Sequence, residues 1–494
     1  MKVIDFANAR RKRRAWIHGG LCIAALLTVI GCGKKEEARN LPTEAPAHVG
    51  APAPTRLEWN LDTLVGAYKK AGHTNPKWDE PAMRALSEFA RVRAQSLASN
   101  EEWWIVLSNN CAAALDAGCN DPMIRYLQLR FGMDQTTNKE SLARAFCDDA
   151  QAMDKSFYPR LRKYYSWLRA GKQITLAYGY GTNIPPELDR LGSWGQAEVY
   201  LLHALQDPAL PPAEAYDACH ELLNEWRGDT NYYARLYQKM EREISSNHRN
   251  ASALLLLKGE AYVRMAWQAR GSGYADTVTH DGWKQFEQHL DVAEKALTQA
   301  WQLDSNDVRI ATMMLTVELG QGRGRDRMEL WFHRAMELDP NNYDACDAKL
   351  RYLLARWYGS DSETLEFGRE CVRNKHWGGH VPLILMDAHN FIQAMLPDES
   401  EKTNYWKRPE VWADLKSAFD RFFALNPQAT GWYHDYAMFA YKAGQWDALN
   451  TLIPKLGPIN YKFFGGKEEF EKMVALAKEH AGPAKARPQQ STDP

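Results

Sequence analysis

The feature that most constrains this chain is a pattern of residues that returns at a fixed distance with the spacing of one helix face. Ala293, Ala296, Leu297, Ala300 and Leu303 come back as Met328, Trp331, Phe332, Ala335 and Leu338, the last pair 35 residues apart. Steps of three and four put such residues on one stripe of an α-helix, which turns about every 3.6 residues. Each copy closes on the same stop, Leu303-Asp304-Ser305-Asn306 and then Leu338-Asp339-Pro340-Asn341. No clear run of alternating β-branched residues interrupts the 494 residues, so the expected class is all-α.

A third copy of the ending follows Ala418, Phe419, Phe422 and Leu425, closed by Asn426-Pro427. The segment Ala440-Tyr441-Lys442-Ala443-Gly444-Gln445-Trp446 then ends one helix and opens its partner. A lone helix pair cannot bury its apolar stripe, so copies must stack, and a Pro past the stripe stops one helix before the next begins. On these residues the stretch 250 to 456 resembles the tetratricopeptide family, whose paired antiparallel helices repeat at about 34 residues. The resemblance implies a TPR-like α-solenoid. Two departures stand out: Leu338 to Leu425 spans 87 residues, two periods plus an insertion, and the connection Arg270 to Trp283 is longer than a repeat turn requires. Arg270-Gly271-Ser272-Gly273-Tyr274-Ala275-Asp276 and Gly320-Gln321-Gly322-Arg323-Gly324-Arg325-Asp326-Arg327 are similar to segments of an uncharacterised bacterial family known only as a domain of unknown function. That resemblance brings no activity with it.

The first residues have the three parts of an export signal: the basic run Arg10-Arg11-Lys12-Arg13-Arg14, an apolar stretch near Leu21 to Ile30, and small Gly31. The apolar stretch is short for a membrane span, which needs about 20 residues, so a cleaved signal is expected. Val29-Ile30-Gly31-Cys32 resembles the lipobox of bacterial lipoproteins, which implies lipid attachment at Cys32. In that family an Asp just after the cysteine retains the protein at the inner membrane. Here Gly33 and Lys34 follow, which implies the outer membrane, facing the periplasm.

The domain reading follows from composition. Residues 1–31 are expected to be the signal peptide and 32–57 a disordered linker rich in Ala and Pro, which the lipobox resemblance implies is lipid-anchored. Residues 58–190 form an irregular helical domain, 191–480 the TPR-like repeat domain and 481–494 a disordered tail. The internal boundary is set at the Gly-, Pro- and Tyr-rich run from Gly171 to Leu191, which breaks helices. Helix starts are expected at Trp78-Asp79-Glu80-Pro81 and at Asp121-Pro122, where Asp accepts from free amides and Pro fits the first turn.

Charge argues against nucleic acid as a partner. Of 61 basic and 62 acidic residues, residues 1–31 hold six basic and one acidic, which leaves 55 and 61, a net charge of −6. Besides Cys32, Cys111, Cys119, Cys147, Cys219, Cys346 and Cys371 remain in the exported part, with no CxxC and no zinc spacing. An antiparallel helix pair about the turn near Ser360 brings Cys346 and Cys371 close. Two readings stay open there, a disulfide or two small buried apolar side chains.

No known catalytic spacing holds, and no cofactor or metal motif is found. His220-Glu221-Leu222-Leu223 lacks the second His of a zincin motif, and Gly320, Gly322 and Gly324 lack the ending of a phosphate loop. Those glycines are expected in an inter-helix turn whose arginines face water or Asp326. His376 and His380 are spaced to share a helical face, with His389 nearby, but no further ligand accompanies them. The long connection from Arg270 to Trp283 is the best ligand-binding candidate, gathering Arg270, Ser272, Tyr274, Asp276, Thr279, His280 and Trp283. Ser272, Asp276 and His280 also suggest a hydrolase set, against a plainer reading in which the loop caps a helix through Asp281 and packs Tyr274 and Trp283. Of 18 tryptophans, Trp301, Trp331 and Trp412 sit at stripe positions, whereas Trp377 and Trp432 are loop-borne and suited to a ligand.

Two functions are therefore expected. The first is a membrane-anchored scaffold or binding protein of the cell envelope that presents a helical groove to a protein partner. The second is a glycan- or peptidoglycan-associated binder or hydrolase centred on the 270–283 loop.

Overall fold

The computed structural model describes residues 54–70, 74–94, 103–132, 138–179, 183–225, 230–244, 251–273 and 275–480. Helices are the regular elements throughout, and no strand occurs among the described residues. The chain is all-α. It divides into two compact units, Ile30–Ala261 and Tyr262–Pro494. Residues 1–53, with Cys32, lie outside the described residues, as do 481–494.

The first unit opens at Thr55, whose hydroxyl accepts from the Glu58 amide at 3.2 Å while the Glu58 carboxylate accepts from the Thr55 amide at 2.9 Å. This reciprocal cap starts the helix Arg56–Leu61. Helix thus begins inside the stretch 32–57 that composition assigns to the linker. The local capping chemistry, rather than the average Ala and Pro content, decides where this helix starts.

Asp79–Ala94, Trp103–Asp116, Pro122–Phe131, Lys139–Asp154 and Arg160–Tyr178 then follow, each packed on the one before. The two expected helix starts are present. Asp121 Oδ1 accepts from the Met123 and Ile124 amides at 2.9 and 3.2 Å, with Pro122 in the first turn. The Gly- and Pro-rich run is the connection of a helix hairpin, because Ser193–Ala204 packs straight back on Arg160–Tyr178. Gly171 allows the close approach: a Cβ there would lie 3.0 Å from the Trp194 ring. The compact division falls instead between Ala261 and Tyr262, within the helix Ser252–Arg270. Leu254 to Leu257 on that helix are buried, as a core segment should be.

In the second unit His280–Leu303 and Arg325–Leu338 carry the repeated stripe. Ala293, Ala296, Leu297 and Ala300 are buried, and so are Met328, Trp331, Phe332 and Ala335. The last position of each copy departs from the expectation, since Leu303 is 56 % and Leu338 37 % exposed. The buried stripe ends about one turn before the helix does. Both helices leave through an aspartate in extended backbone, Asp304 at φ −148° and Asp339 at φ −141°. Their side chains accept from the Asn306 and Asn341 amides at 3.0 and 2.9 Å. The same Asp-x-Asn sequence makes the same turn twice, an Asx turn.

Helices of this unit contact the next in the chain and, in several places, the one after. Val308–Gln321 packs on His280–Leu303, on Arg325–Leu338 and on Tyr343–Tyr352. Asp361–Arg373, Ile384–Ala394 and Pro409–Leu425 pack on one another. The insertion before the third stop contains the short helix Glu399–Tyr405 and the turn Val381–Leu383. Tyr433–Lys442 ends at Ala443-Gly444, where Gly444 has φ +65°, and Trp446–Leu452 opens as expected. Leu415, Phe419, Phe422, Phe439, Leu449 and Met473 join this end in one apolar core.

Candidate functional site

The connection that sequence singles out joins the end of Ser252–Arg270 to the start of His280–Leu303. Its cap is Thr279, whose hydroxyl accepts from the Gly282 amide at 3.0 Å. That corrects the expectation that Asp281 caps the helix. Gly282 lets the new helix start hard against the old one, for a Cβ there would meet the Ala269 carbonyl oxygen at 2.8 Å. Ser272, Asp276 and His280 are all exposed, and among the described residues no hydrogen bond joins them into a hydrolase set. Tyr274 lies outside the described residues.

Arg270 behaves differently. It is 8 % exposed and lies among three indoles, its guanidinium carbon 5.3 Å from the Trp283 ring, 5.7 Å from Trp357 and 5.9 Å from Trp267. Trp267 meets Trp357 and Phe286 edge to face at 5.7 and 5.1 Å, and Trp283 meets Phe286 at 5.7 Å. The rings fix the cation by cation–π attraction, about 0.5 to 2 kcal/mol for each face in such settings. The Arg270 Nη1 donates to the Gly273 carbonyl at 3.2 Å and more distantly to Gly271. Arg270 Nε and Trp267 Nε1 are buried and have no acceptor. Burial pushes the guanidinium below its usual pKa. Among the described residues no carboxylate pairs with it.

Two of the candidate ligand-binding residues, Arg270 and Trp283, are thus brought together; Asp276 and His280 stand outside the cluster on the solvent side. Trp377 belongs to another cluster, 5.7 Å edge to face from Phe332. Trp432 packs 5.6 Å from both Phe422 and His380. Of the stripe tryptophans, Trp331 is buried, whereas Trp301 and Trp412 are half-buried against Trp331 and Tyr436.

The histidines do not share a helix face, because 374–380 is a turn between helices. His389 is buried on Ile384–Ala394, 2.8 Å from the Tyr405 hydroxyl and 3.1 Å from Asp414. Among the described residues no group of three or more His, Cys, Asp and Glu is placed to hold a metal ion. Cys346 and Cys371 are both free thiols with no exposed surface. They are neighbours, and burial together with Cys346 pushes the Cys371 thiol well up.

The glycine-rich turn after Val308–Gln321 meets one of the two expectations, for Arg323 and Arg325 are exposed to water. Gly322 supplies φ +60° at the helix end, and the arginines beyond it do not face Asp326. Arg323 Nη1 donates to both oxygens of Glu294 at 2.7 Å, and Arg327 Nη2 donates to Glu294 and to the fully buried Glu318 at 2.7 Å. Burial would raise the Glu294 carboxyl, but hydrogen bonds from Arg327 and Gln321 and the two arginine charges hold it below its usual value. This is a brace between helices.

Sequence reasoning missed a second brace, in the first unit. Glu214 is fully buried, and its Oε1 accepts from Arg56 Nε at 2.8 Å and from Asn60 Nδ2 at 2.9 Å. Arg93 closes on its other oxygen and also donates to the Tyr165 hydroxyl at 2.7 Å. Arg162, buried beside Trp59, donates to Asn60 and Thr63 at 2.6 and 2.8 Å. Burial would raise the Glu214 carboxyl, but Arg93, Arg162 and Arg56 bring it down to about 2.

No protein-family model matches this chain, and no curated protein matches it.

Proposed function

We propose that this chain is a lipoprotein of the cell envelope, anchored through Cys32, whose second unit is a TPR-like helical stack that binds a protein partner. The observation that carries the reading is the serial packing in that unit. Val308–Gln321 contacts both the next helix and the next but one, and the two Asp-x-Asn stops repeat the same backbone. Repeats in which each unit leans on its neighbours offer an extended surface made of many equivalent helix faces, suited to a polypeptide partner. The basic run, apolar stretch, Gly31 and Cys32 support the anchor, and no described helix is long and apolar enough to cross a membrane.

Metabolic labelling with an alkyne fatty acid, followed by membrane fractionation, tests the anchor. The natural chain should take up label and sediment with membranes, and Cys32→Ser should do neither. An unlabelled natural chain, or a Cys32→Ser form that stays membrane-bound after removal of its leader, would overturn it. Photo-crosslinkers placed along Val308–Gln321 and Tyr343–Tyr352 test the partner. One protein captured from both helices of the intact cell, and lost when the second unit is removed, is the expected result.

A further inference from the structure

Arg270 poses a problem of physical chemistry that the proposed scaffold does not solve. A guanidinium taken out of water costs several kcal/mol unless an anion and hydrogen-bond acceptors repay the loss. The braces built on carboxylates obey that rule, and fully buried Arg162, which leaves Nε and Nη1 without acceptors, still feels the charge of Glu214. Arg93 and Arg56 meet Glu214, Arg327 meets Glu318, and Arg369 meets Asp414. Arg270 meets indoles and two backbone carbonyls, and it leaves Nε without an acceptor. A second orphan donor, Trp267 Nε1, belongs to the same cluster. A buried donor without a partner calls for an explanation, and here two of them share one cluster with a cation that no carboxylate meets.

The missing acceptor has a definable chemistry. One uncompensated positive charge and two N–H donors match a monoanion with two acceptor oxygens, which is a carboxylate. Around this point Trp267, Trp283 and Trp357 are each only half-buried, so the cluster has a wet edge lined by indole. Ser272, Asp276 and His280 are exposed on the same connection. Indole faces beside exposed polar side chains suit a pyranose ring, apolar on its C–H face and ringed by hydroxyls. Capture of a peptide terminus favours a nest of backbone amides instead. Here the backbone groups turned toward Arg270 are the carbonyls of Gly271 and Gly273.

We propose that Arg270 and Trp267 form a carboxylate-binding site for an acidic saccharide of the uronic-acid type. Trp283 and Trp357 are its ring platform, and Ser272, Asp276 and His280 are within the same loop for its hydroxyls. The inference is independent of the protein-partner reading and survives its failure.

The test is calorimetric titration of the full chain in detergent with three probes: methyl glucuronide, methyl glucoside, and the dipeptide Gly-Leu with a free terminus. Methyl glucuronide should bind about tenfold or more tightly than methyl glucoside, the difference a charge-assisted hydrogen bond makes. This comparison on the unaltered chain needs no variant. Arg270→Gln should abolish the preference, Arg270→Lys should keep part of it, and Trp283→Leu should weaken both sugars together. Equal binding of the two sugars, binding of the dipeptide but not the glucuronide, or an undiminished preference in Arg270→Gln would each overturn the proposal.

Discussion

Asp149 offers a quantitative test of the first unit. Its side chain is 2 % exposed on Lys139–Asp154, with Ser166 donating to Oδ2 at 3.3 Å and Arg125 Nε 3.7 Å from Oδ1. Asp121 lies close enough to add repulsion. Burial outweighs the pull of Arg125 and Ser166 and lifts the carboxyl from 3.8 to about 7. A raised folded value means that the native state prefers the neutral acid. Stability is then fully present below the unfolded value and is lost as pH climbs from about 4 through about 7. At about 1.4 kcal/mol for each tenfold change in proton affinity, the loss is about 4 kcal/mol. Asp149→Asn keeps the shape without the charge, so above pH 7 the variant should be more stable by about 2 to 4 kcal/mol, and near pH 4 the two should converge. Urea unfolding followed by circular dichroism, in steps from pH 4 to 8, measures the gap directly. Parallel curves over that range would refute the argument, since they would mean that Asp149 stays charged at no cost.

Glu214 carries the opposite sign: its lowered value gives stability above pH 4.5 that is lost as pH falls toward about 2, worth about 3 kcal/mol. Glu214→Gln should lose about 3 to 5 kcal/mol at neutral pH and flatten the acid limb of the unfolding profile. Gly282→Ala forces a methyl against the Ala269 carbonyl and should cost about 1 to 3 kcal/mol, read as a fall in thermal midpoint. Thr279→Ala removes the cap and should cost about 1 kcal/mol in the same assay.

What sequence made legible was local. The stops after Leu303, Leu338 and Leu425 are where the helices end, because an Asx turn or a Pro acts on its own few residues. The 270–283 connection was visible by its length, and Arg270 with Trp283 proved to be its structured part. Trp267 was within reach of the same reasoning, since it precedes Arg270 by one helical turn and shares its face. Trp357 was not, because it arrives from a distant turn through tertiary packing. The Glu214 brace was hidden for a related reason: a glutamate in Pro212–Glu225 reads as solvent-facing, and only the fold shows arginines from three other helices converging on it. The exposure of Leu303 and Leu338 was equally invisible, because a periodic pattern does not tell where the neighbouring helix stops.

The Glu214 brace also sets how the body answers a pull on its leading end. Tension arriving from ahead of residue 54 enters through the helix Arg56–Leu61, and Arg56 is held there by Glu214 and Asp217. Load is therefore passed sideways into Pro212–Glu225 before it reaches the later helices. Acid that protonates Glu214 would turn this latch into a slipping joint, so the molecule should peel from its leading end at a smaller force in an acidified medium than in a neutral one.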